Sequence, residues 1–260
     1  ISGAGNLTKS GSGTLTFEDE QNTITGTLTV ADGILSIDSS SGFSTDDVKI
    51  TAGATLQLDD KNFNKSSREI QLRGHGDGNI GALYASSGGS DNTVTNTSKI
   101  RLMQNSSIGA ASGVVLKLTD NEDAVIVQQS GETNTLRIRG AGVVEVLKDI
   151  DLDGGKITID SGSTLRIGHA DAILDDGELV VNGTLDVNEN DTIDEVTGSG
   201  TVDIEYGNVL SVNGNDKTSD IKISGAGNFR KISSDNLTLS GSSHDFTGNL
   251  QIFQGDIDIT

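Results

Sequence analysis

Residues 162–187 read GSTLRIGHADAILDDGELVVNGTLDV, and the spacing of the aliphatic residues in them decides the fold. Leu165 and Ile167 flank Arg166, Leu179 and Val181 flank a single residue, and Leu185 and Val187 flank Asp186. Alternate side chains of a strand point to opposite sides, so each dyad turns two aliphatic groups one way and the residue between them the other. A glycine followed by small residues and an aliphatic introduces two of these dyads, at Gly162-Ser163-Thr164-Leu165 and Gly183-Thr184-Leu185. Leu165 and Leu185 are 20 positions apart, close to one coil of a β-solenoid.

The pattern extends outward in both directions. Similar glycine-led starts stand at Gly53-Ala54-Thr55-Leu56 and Gly200-Thr201-Val202, and dyads recur from Leu15/Phe17 through Val48/Ile50, Ile100/Leu102, Val125/Val127 and Ile150/Leu152 to Ile257/Ile259. Clusters of Gly, Asn, Asp and Ser separate them, the residues that supply positive φ and side-chain-to-backbone bonds in turns. No stretch keeps a helical period beyond about two turns. The chain reads as all-β. Short strands at this spacing suit a sandwich, a barrel or a solenoid. Three-residue dyads of Leu, Ile and Val with only 3% aromatic residues favour the thin interior of a solenoid, because sandwich strands are longer and their cores use large aromatics.

The 260 residues carry 18 Lys and Arg against 38 Asp and Glu, a formal charge of −20, with 33% hydrophobic residues, 34 glycines and no proline or cysteine. Absence of cysteine excludes disulfide frameworks and Cys-based metal sites. The charge has the wrong sign for neutralising phosphates, so nucleic-acid binding is excluded as a function class. No apolar run approaches the roughly 18 residues of a spanning helix. Low hydrophobicity and high charge also mark disorder, yet disordered chains are rich in proline and poor in β-branched residues, the reverse of this composition.

Residues 1–38 align without gaps to residues 223–260. Ile1-Ser2-Gly3-Ala4-Gly5-Asn6 equals Ile223-Ser224-Gly225-Ala226-Gly227-Asn228, Lys9 matches Lys231, and Leu28, Gly33 and Ile37 match Leu250, Gly255 and Ile259, always 222 positions apart. Two readings stand: one coil motif used twice within one solenoid, or a window on a longer polypeptide that repeats near 222 residues. The expected organisation is one continuous solenoid over 1–260, a fragment of a longer chain.

The run Gly3-Ala4-Gly5-Asn6-Leu7-Thr8-Lys9-Ser10-Gly11-Ser12-Gly13-Thr14-Leu15-Thr16-Phe17, followed by Asn22-Thr23-Ile24-Thr25-Gly26 and Gly33-Ile34-Leu35, closely resembles the passenger-associated repeat of bacterial autotransporters. The copy at 223–260 is weaker, with Ile232 and Asp235 in place of glycines. The resemblance implies a right-handed parallel β-helix displayed at a bacterial cell surface or outside the cell. It says little about chemistry. At about 22 residues and 4.8 Å per coil, the chain would form roughly 12 coils. The expected function is non-enzymatic, an adhesin or structural surface filament, contacting a host or neighbouring cell or other copies of itself. A polysaccharide-active β-helix enzyme and tandem immunoglobulin-like modules are the alternatives.

Candidate sites are few. Asp149, Asp151 and Asp153, followed by Gly154 and with Asp160 11 positions after Asp149, have the spacing of a calcium loop, in which alternate carboxylates converge on one hard cation. The same aspartates are also what the outer face of an Ile150/Leu152 strand would carry. Calcium is the only cofactor the sequence suggests. Gly74-His75-Gly76-Asp77-Gly78-Asn79 resembles glycine–aspartate calcium repeats but occurs once, which favours a turn. Acidic loops at Asp120–Asp123 and Glu189–Glu195 read as solvated. His75, His169 and His244 are scattered, and no nucleophile elbow is present, so no catalytic residue is assigned. Seven Asn-x-Ser/Thr matches, at Asn6, Asn64, Asn96, Asn105, Asn182, Asn190 and Asn236, are what so much Asn, Ser and Thr yields by chance. Partner contacts are expected on loops, at Asp59–Ser67 and Tyr84–Ser98.

Overall fold

The computed structural model of the chain describes residues 2–18, 23–38, 47–59, 63, 68–121, 123–173, 177–213, 216–241 and 245–260. It is a parallel β-solenoid of about 11 turns. Three faces recur among the described residues. The first runs through Thr93–Asn96, Val115–Leu118, Val143–Val146, Thr164–Ile167, Thr184–Val187, Thr201–Ile204, Lys222–Gly225 and Asp245–Phe246. The second begins at Leu7–Lys9, Leu28–Val30, Asp47–Ile50 and Glu69–Gly74 and ends at Asn228–Lys231 and Asn249–Ile252. The third climbs from Thr14–Phe17 through Ile34–Ile37, Thr55–Asp59 and Leu83–Ser87 to Thr135–Arg139, Lys156–Ile159, Glu178–Val181 and Glu195–Gly198.

Within a face, like stacks on like. Val94, Leu116, Val144, Leu165, Leu185, Val202 and Ile223 form one inward ladder on the first face. All but Ile223, at 3%, are 0% exposed. The 20-residue step from Leu165 to Leu185 is therefore one coil, as the glycine-led starts predict. Parallel pairing sets aside tandem immunoglobulin-like modules, whose sheets are antiparallel. Buried hydrophobic residues from Phe17 to Leu239 join one continuous core, and each Val, Leu, Ile or Phe in it contributes about 1.5–3 kcal/mol by leaving water.

Outer ladders offset part of the charge of −20, although they also set Glu178 against Glu195 and Asp186 against Asp203. Lys117 faces Glu145 at 3.4 Å, Arg166 faces Asp186 at 2.7 Å, Lys156 faces Glu178 at 2.9 Å and Lys217 faces Glu195 at 3.4 Å, each pair bridging adjacent coils. Opposite charges directly across a strand pair add some 0.2–1 kcal/mol, whereas like charges there repel. Several of the excess acids sit at corners, where Asp153, Asp171 and Asp216 adopt φ of 40°, 53° and 53°, a region Asp tolerates better than most residues.

The structure departs from the sequence reading in several places. The strand Lys99–Ala110 runs 12 residues without a break, its start pairing on the second face and its end on the third, so one strand turns the corner. Ser106 and Ser107 are buried there. In Ala124–Gln128, Val125 is buried as the dyad predicts, but Ile126 and Gln128 are buried too and Val127 is outward, because a register shift against Asp149–Asp151 inserts one residue between Ala124 and Ile126. Most of Tyr84–Ser98, expected as a projecting loop, is ladder: Tyr84 lies in Leu83–Ser87 and Thr93–Asn96 pairs with Val115–Leu118. Of the other expected loop, residues 60–62 and 64–67 lie outside the described residues, while Phe63 bridges to Asn96 and is 3% exposed.

Candidate functional site

Two side-chain clusters depart from the regular coil, together with a pair of buried lysines. The first cluster lies on the third face. Leu56 of one coil pairs with Leu83 of the next, a step of 27 positions against 20 at Leu165. Much of the added length is the segment Gly74–Gly81, which folds back instead of projecting. Thr55, fully buried, holds it from below: its Oγ1 donates to the Gly81 carbonyl at 2.8 Å and accepts from the Asp77 N–H at 2.8 Å. Ser107 Oγ donates to the His75 carbonyl at 3.3 Å, and Arg139 Nη1 donates to the Asn79 carbonyl at 2.7 Å. Gly76 has φ 82°, and a Cβ there would stand 2.0 Å from the Gly81 carbonyl oxygen, so the hairpin admits only glycine at that position. The sequence motif read as a turn is thus a turn, anchored to three different coils.

Arg137 and Arg139 both point outward from Thr135–Arg139 and converge on Asp160, which follows Lys156–Ile159 on the next coil. Arg137 Nη2 donates to Asp160 Oδ1, and Arg139 Nε lies 3.2 Å from Oδ2. A shallow groove beside them is lined by Asn79, Arg139, Gly140, Asp160, Ser161 and Ser163. Two guanidinium groups here face one carboxylate, on a chain of charge −20. His75 Nδ1 and Arg137 Nε are buried without a hydrogen-bond partner in the protein. Polar atoms in that state call for a water or a ligand.

Burial, reinforced by the charges of Arg139 and Arg137, holds the His75 imidazole below its ordinary 6.5, against a smaller pull upward from Asp160. The unfolded chain therefore binds this proton more readily than the folded one, and stability falls as pH drops from 6.5 towards the lowered value. His75→Gln is expected to flatten that part of the curve. Urea midpoints of both proteins between about pH 5 and 7 test this, because the difference between them isolates one imidazole from the other acid-titrating groups. Parallel curves would remove His75 as the cause.

The second cluster contains the aspartates with calcium-loop spacing. Asp149 and Asp151 are the half-buried outer residues of Asp149–Asp151, with Ile150 turned into the core. Asp153 is exposed at a corner. Asp160 is on the third face, in the grip of Arg137 and Arg139. The neighbour of Asp149 is His169, whose Nε2 lies 3.4 Å from Oδ1. Burial raises the Asp149 pKa, with Asp123 and Asp171 adding to it and His169 and Lys148 opposing. Among the described residues, no three His, Asp or Glu side chains gather as metal ligands would. The four sequence-selected aspartates are thus divided between two faces, because a coil corner falls between Asp151 and Asp160.

Lys9 and Lys231 were legible as a matched pair but not as buried residues. Each occupies an inward position, Lys9 5% and Lys231 0% exposed. Lys231 Nζ donates to the Ser233 carbonyl and to Ser233 Oγ, both at 2.7 Å. Lys9 Nζ donates to the Gly11 and Asp32 carbonyls, the latter at 2.7 Å. In both copies the aliphatic stem fills the core and the ammonium caps the corner that follows. Asn96, one of the Asn-x-Ser/Thr matches, is also fully buried and donates from Nδ2 to the Ser98 carbonyl at 2.8 Å. His244, Glu122 and Asn64 lie outside the described residues.

Comparison with known proteins points the same way as the coil motif. Residues 7–37, which contain Lys9 and the two strands stacked on its coil, match the family described as Passenger-associated-transport-repeat. Over 109 residues, 42% of this chain, the sequence is 30% identical to a protein named Adhesin BmaC autotransporter from Brucella suis biovar 1 (strain 1330). The matched region spans 3% of that relative's length. No solved structure matches the chain. The parallel solenoid and these two similarities support an autotransporter passenger domain.

Proposed function

We propose that the chain is a stiff segment of an adhesin-type protein at a bacterial surface, that it binds without catalysing a reaction, and that it contacts its partner through the third-face patch built around Arg139 and Asp160. The observation that carries this reading is the Gly74–Gly81 segment. A coil needs no such excursion to stack, yet here Gly74–Gly81 is folded onto the outer face and pinned by Thr55, Ser107 and Arg139 beside an open polar groove. Similarity to a protein named as an adhesin supports surface binding, and the outward display that binding requires agrees with the passenger repeat.

A polysaccharide-cleaving reading has less support. Hydrolysis of a glycosidic bond uses two carboxyl groups roughly 5–10 Å apart across the scissile bond. The groove lining contains one, Asp160, already engaged by two guanidinium groups.

Arg139→Ala and Asp160→Asn, each in the full chain, test the proposal by adhesion to immobilised mammalian cells and to an array of neutral and acidic glycans. The expected result is at least a tenfold loss of retention for Arg139→Ala, about 1.4 kcal/mol, with an unchanged β-sheet circular dichroism spectrum. Retention equal to the parent in both variants would move the contact surface elsewhere on the rod.

A further inference from the structure

The two ends of the solenoid are the same object. The first strands pair as Gly3 with Ile24, Leu7 with Leu28, Lys9 with Val30, Leu15 with Leu35 and Phe17 with Ile37. The last pair as Gly225 with Phe246, Phe229 with Leu250, Lys231 with Ile252, Leu237 with Ile257 and Leu239 with Ile259. Every partner is displaced by 222 positions. The likeness reaches the side chains. Asn6 Oδ1 accepts from the Thr27 N–H at 3.0 Å, and Asn228 Oδ1 accepts from Asn249 Nδ2 at 2.8 Å. Lys9 and Lys231 are both buried, and each caps the carbonyl two residues on. Gly33 and Gly255 share a left-handed φ of 64° and 69°, and a Cβ on either would meet carbonyl oxygens of the coil below, 2.6 Å away at Gly33 and 2.3 Å at Gly255. Ten third-face steps lead from Thr14–Phe17 to its counterpart Leu237–Leu239.

One difference stands out. Leu28, Val30 and Ile37 are 0%, 0% and 2% exposed, because Val48 and Ile50 stack on the first two and Leu58 on the third. Their counterparts Leu250, Ile252 and Ile259 are 42%, 51% and 60% exposed. A parallel strand in the register of Asp47–Ile50 and Thr55–Asp59 would cover this ladder and pair these strand edges.

We propose that residues 223–260 are a second, diverged copy of the two-coil unit at the other end, that the chain thereby spans a period of ten coils, and that the open surface of Asn249–Ile252 and Ile257–Ile259 takes a coil equivalent to residues 47–59 from a further copy of this sequence. The occupant follows from continuity of the ladders: the unit that ends in Ile37 is covered in this chain by Asp47–Ile50 and Thr55–Asp59, so the equivalent unit ending in Ile259 offers the same register. Val48 would then stand on Leu250, Ile50 on Ile252 and Leu58 on Ile259. This inference does not rest on the adhesin reading, since stacking requires no partner on the lateral faces.

A tandem protein tests it, in which residues 39–260 follow Thr260 directly and so preserve the 222-residue spacing. A control begins its second copy at residue 29, about half a coil out of register. In the registered tandem, amide exchange across Asn249–Ile252 and Ile257–Ile259 is expected to slow at least tenfold relative to the single chain, and small-angle scattering to give one rod of about twice the length. Ile252→Asp in that tandem is expected to restore fast exchange at the seam alone. Equal exchange in the registered and out-of-register tandems, or fast exchange at the seam of the registered one, would overturn the proposal. Adhesion by the Arg139→Ala protein is unaffected by either result, so the two proposals fail separately.

Discussion

Leu165→Ala is expected to lower the free energy of unfolding by about 3 kcal/mol, in the middle of the range for a fully buried leucine. Leu165 is 0% exposed and lies between Val144 below and Leu185 above. Truncation removes the transfer energy of its side chain and leaves a void that neighbouring coils cannot fill, because their own positions are fixed by backbone ladders on both sides. The neighbouring outward residue supplies the contrast. Arg166→Ala deletes the ion pair to Asp186 at 2.7 Å, which at a partly exposed site is worth no more than about 1 kcal/mol and fades as salt is added. Urea unfolding of both variants at low and high salt separates the two contributions. A solenoid is held together by nearest-neighbour coil contacts, so the Leu165 variant should also broaden or split its transition, which circular dichroism and amide exchange would report at different urea concentrations. A loss below about 1 kcal/mol for Leu165→Ala would mean that the core collapses around the gap and is not set by its ladders.

That contrast also marks what the sequence could convey. Inward ladders were readable because period-two alternation of Leu, Ile and Val is a property of the strand itself, independent of which coil lies next to it. The dyads at 56/58, 116/118, 165/167 and 185/187 all face inward. Strands whose inward residues are small or polar gave no such signal. Ala85, Ala110 and Asn96 are fully buried ladder residues, yet nothing local distinguishes them from corner residues. The outward turn of Val127, with Ile126 buried beside Val125, arises from a register shift against the next coil, a relation between segments 24 residues apart. The aspartates of the calcium spacing failed to gather for a similar reason. A spacing of 11 positions brings carboxylates together when a single loop spans it, but here a corner and most of a strand intervene, and Arg137 and Arg139 from the preceding coil reach Asp160 first. The groove beside Asp160 was unreadable throughout, since Asn79, Arg139 and Asp160 come from three coils.

Lys231 gives the second large effect, and its two substitutions should diverge. Lys231→Ala is expected to cost about 3 kcal/mol, as for other long side chains removed from a core, because the stem is 0% exposed and packs in register beside Val212. Lys231→Met keeps the volume. It loses the bonds to the Ser233 carbonyl and hydroxyl but also the burden of a buried charge, and replacing buried ionic groups by apolar ones of like size is often close to neutral; its expected cost at pH 7 is under about 1.5 kcal/mol. Ser233 Oγ retains the Asn213 carbonyl as an acceptor and the Asp235 N–H as a donor, so the methionine does not strand it. Burial lowers the Lys231 pKa from 10.5, with Asp235 and Asp216 opposing. The unfolded chain accordingly keeps this proton to higher pH than the folded one. Stability contributed at this site therefore rises with pH between the lowered value and 10.5, the reverse of a lysine held by an exposed salt bridge. Subtracting the Lys231→Met curve from that of the parent isolates the rise, since Tyr84, whose pKa burial raises, titrates alike in both proteins. A difference curve that falls with pH would show that Asp216 and Asp235 outweigh burial, and that the lysine is held in the core as half of an ion pair rather than as a cap on the corner that follows it.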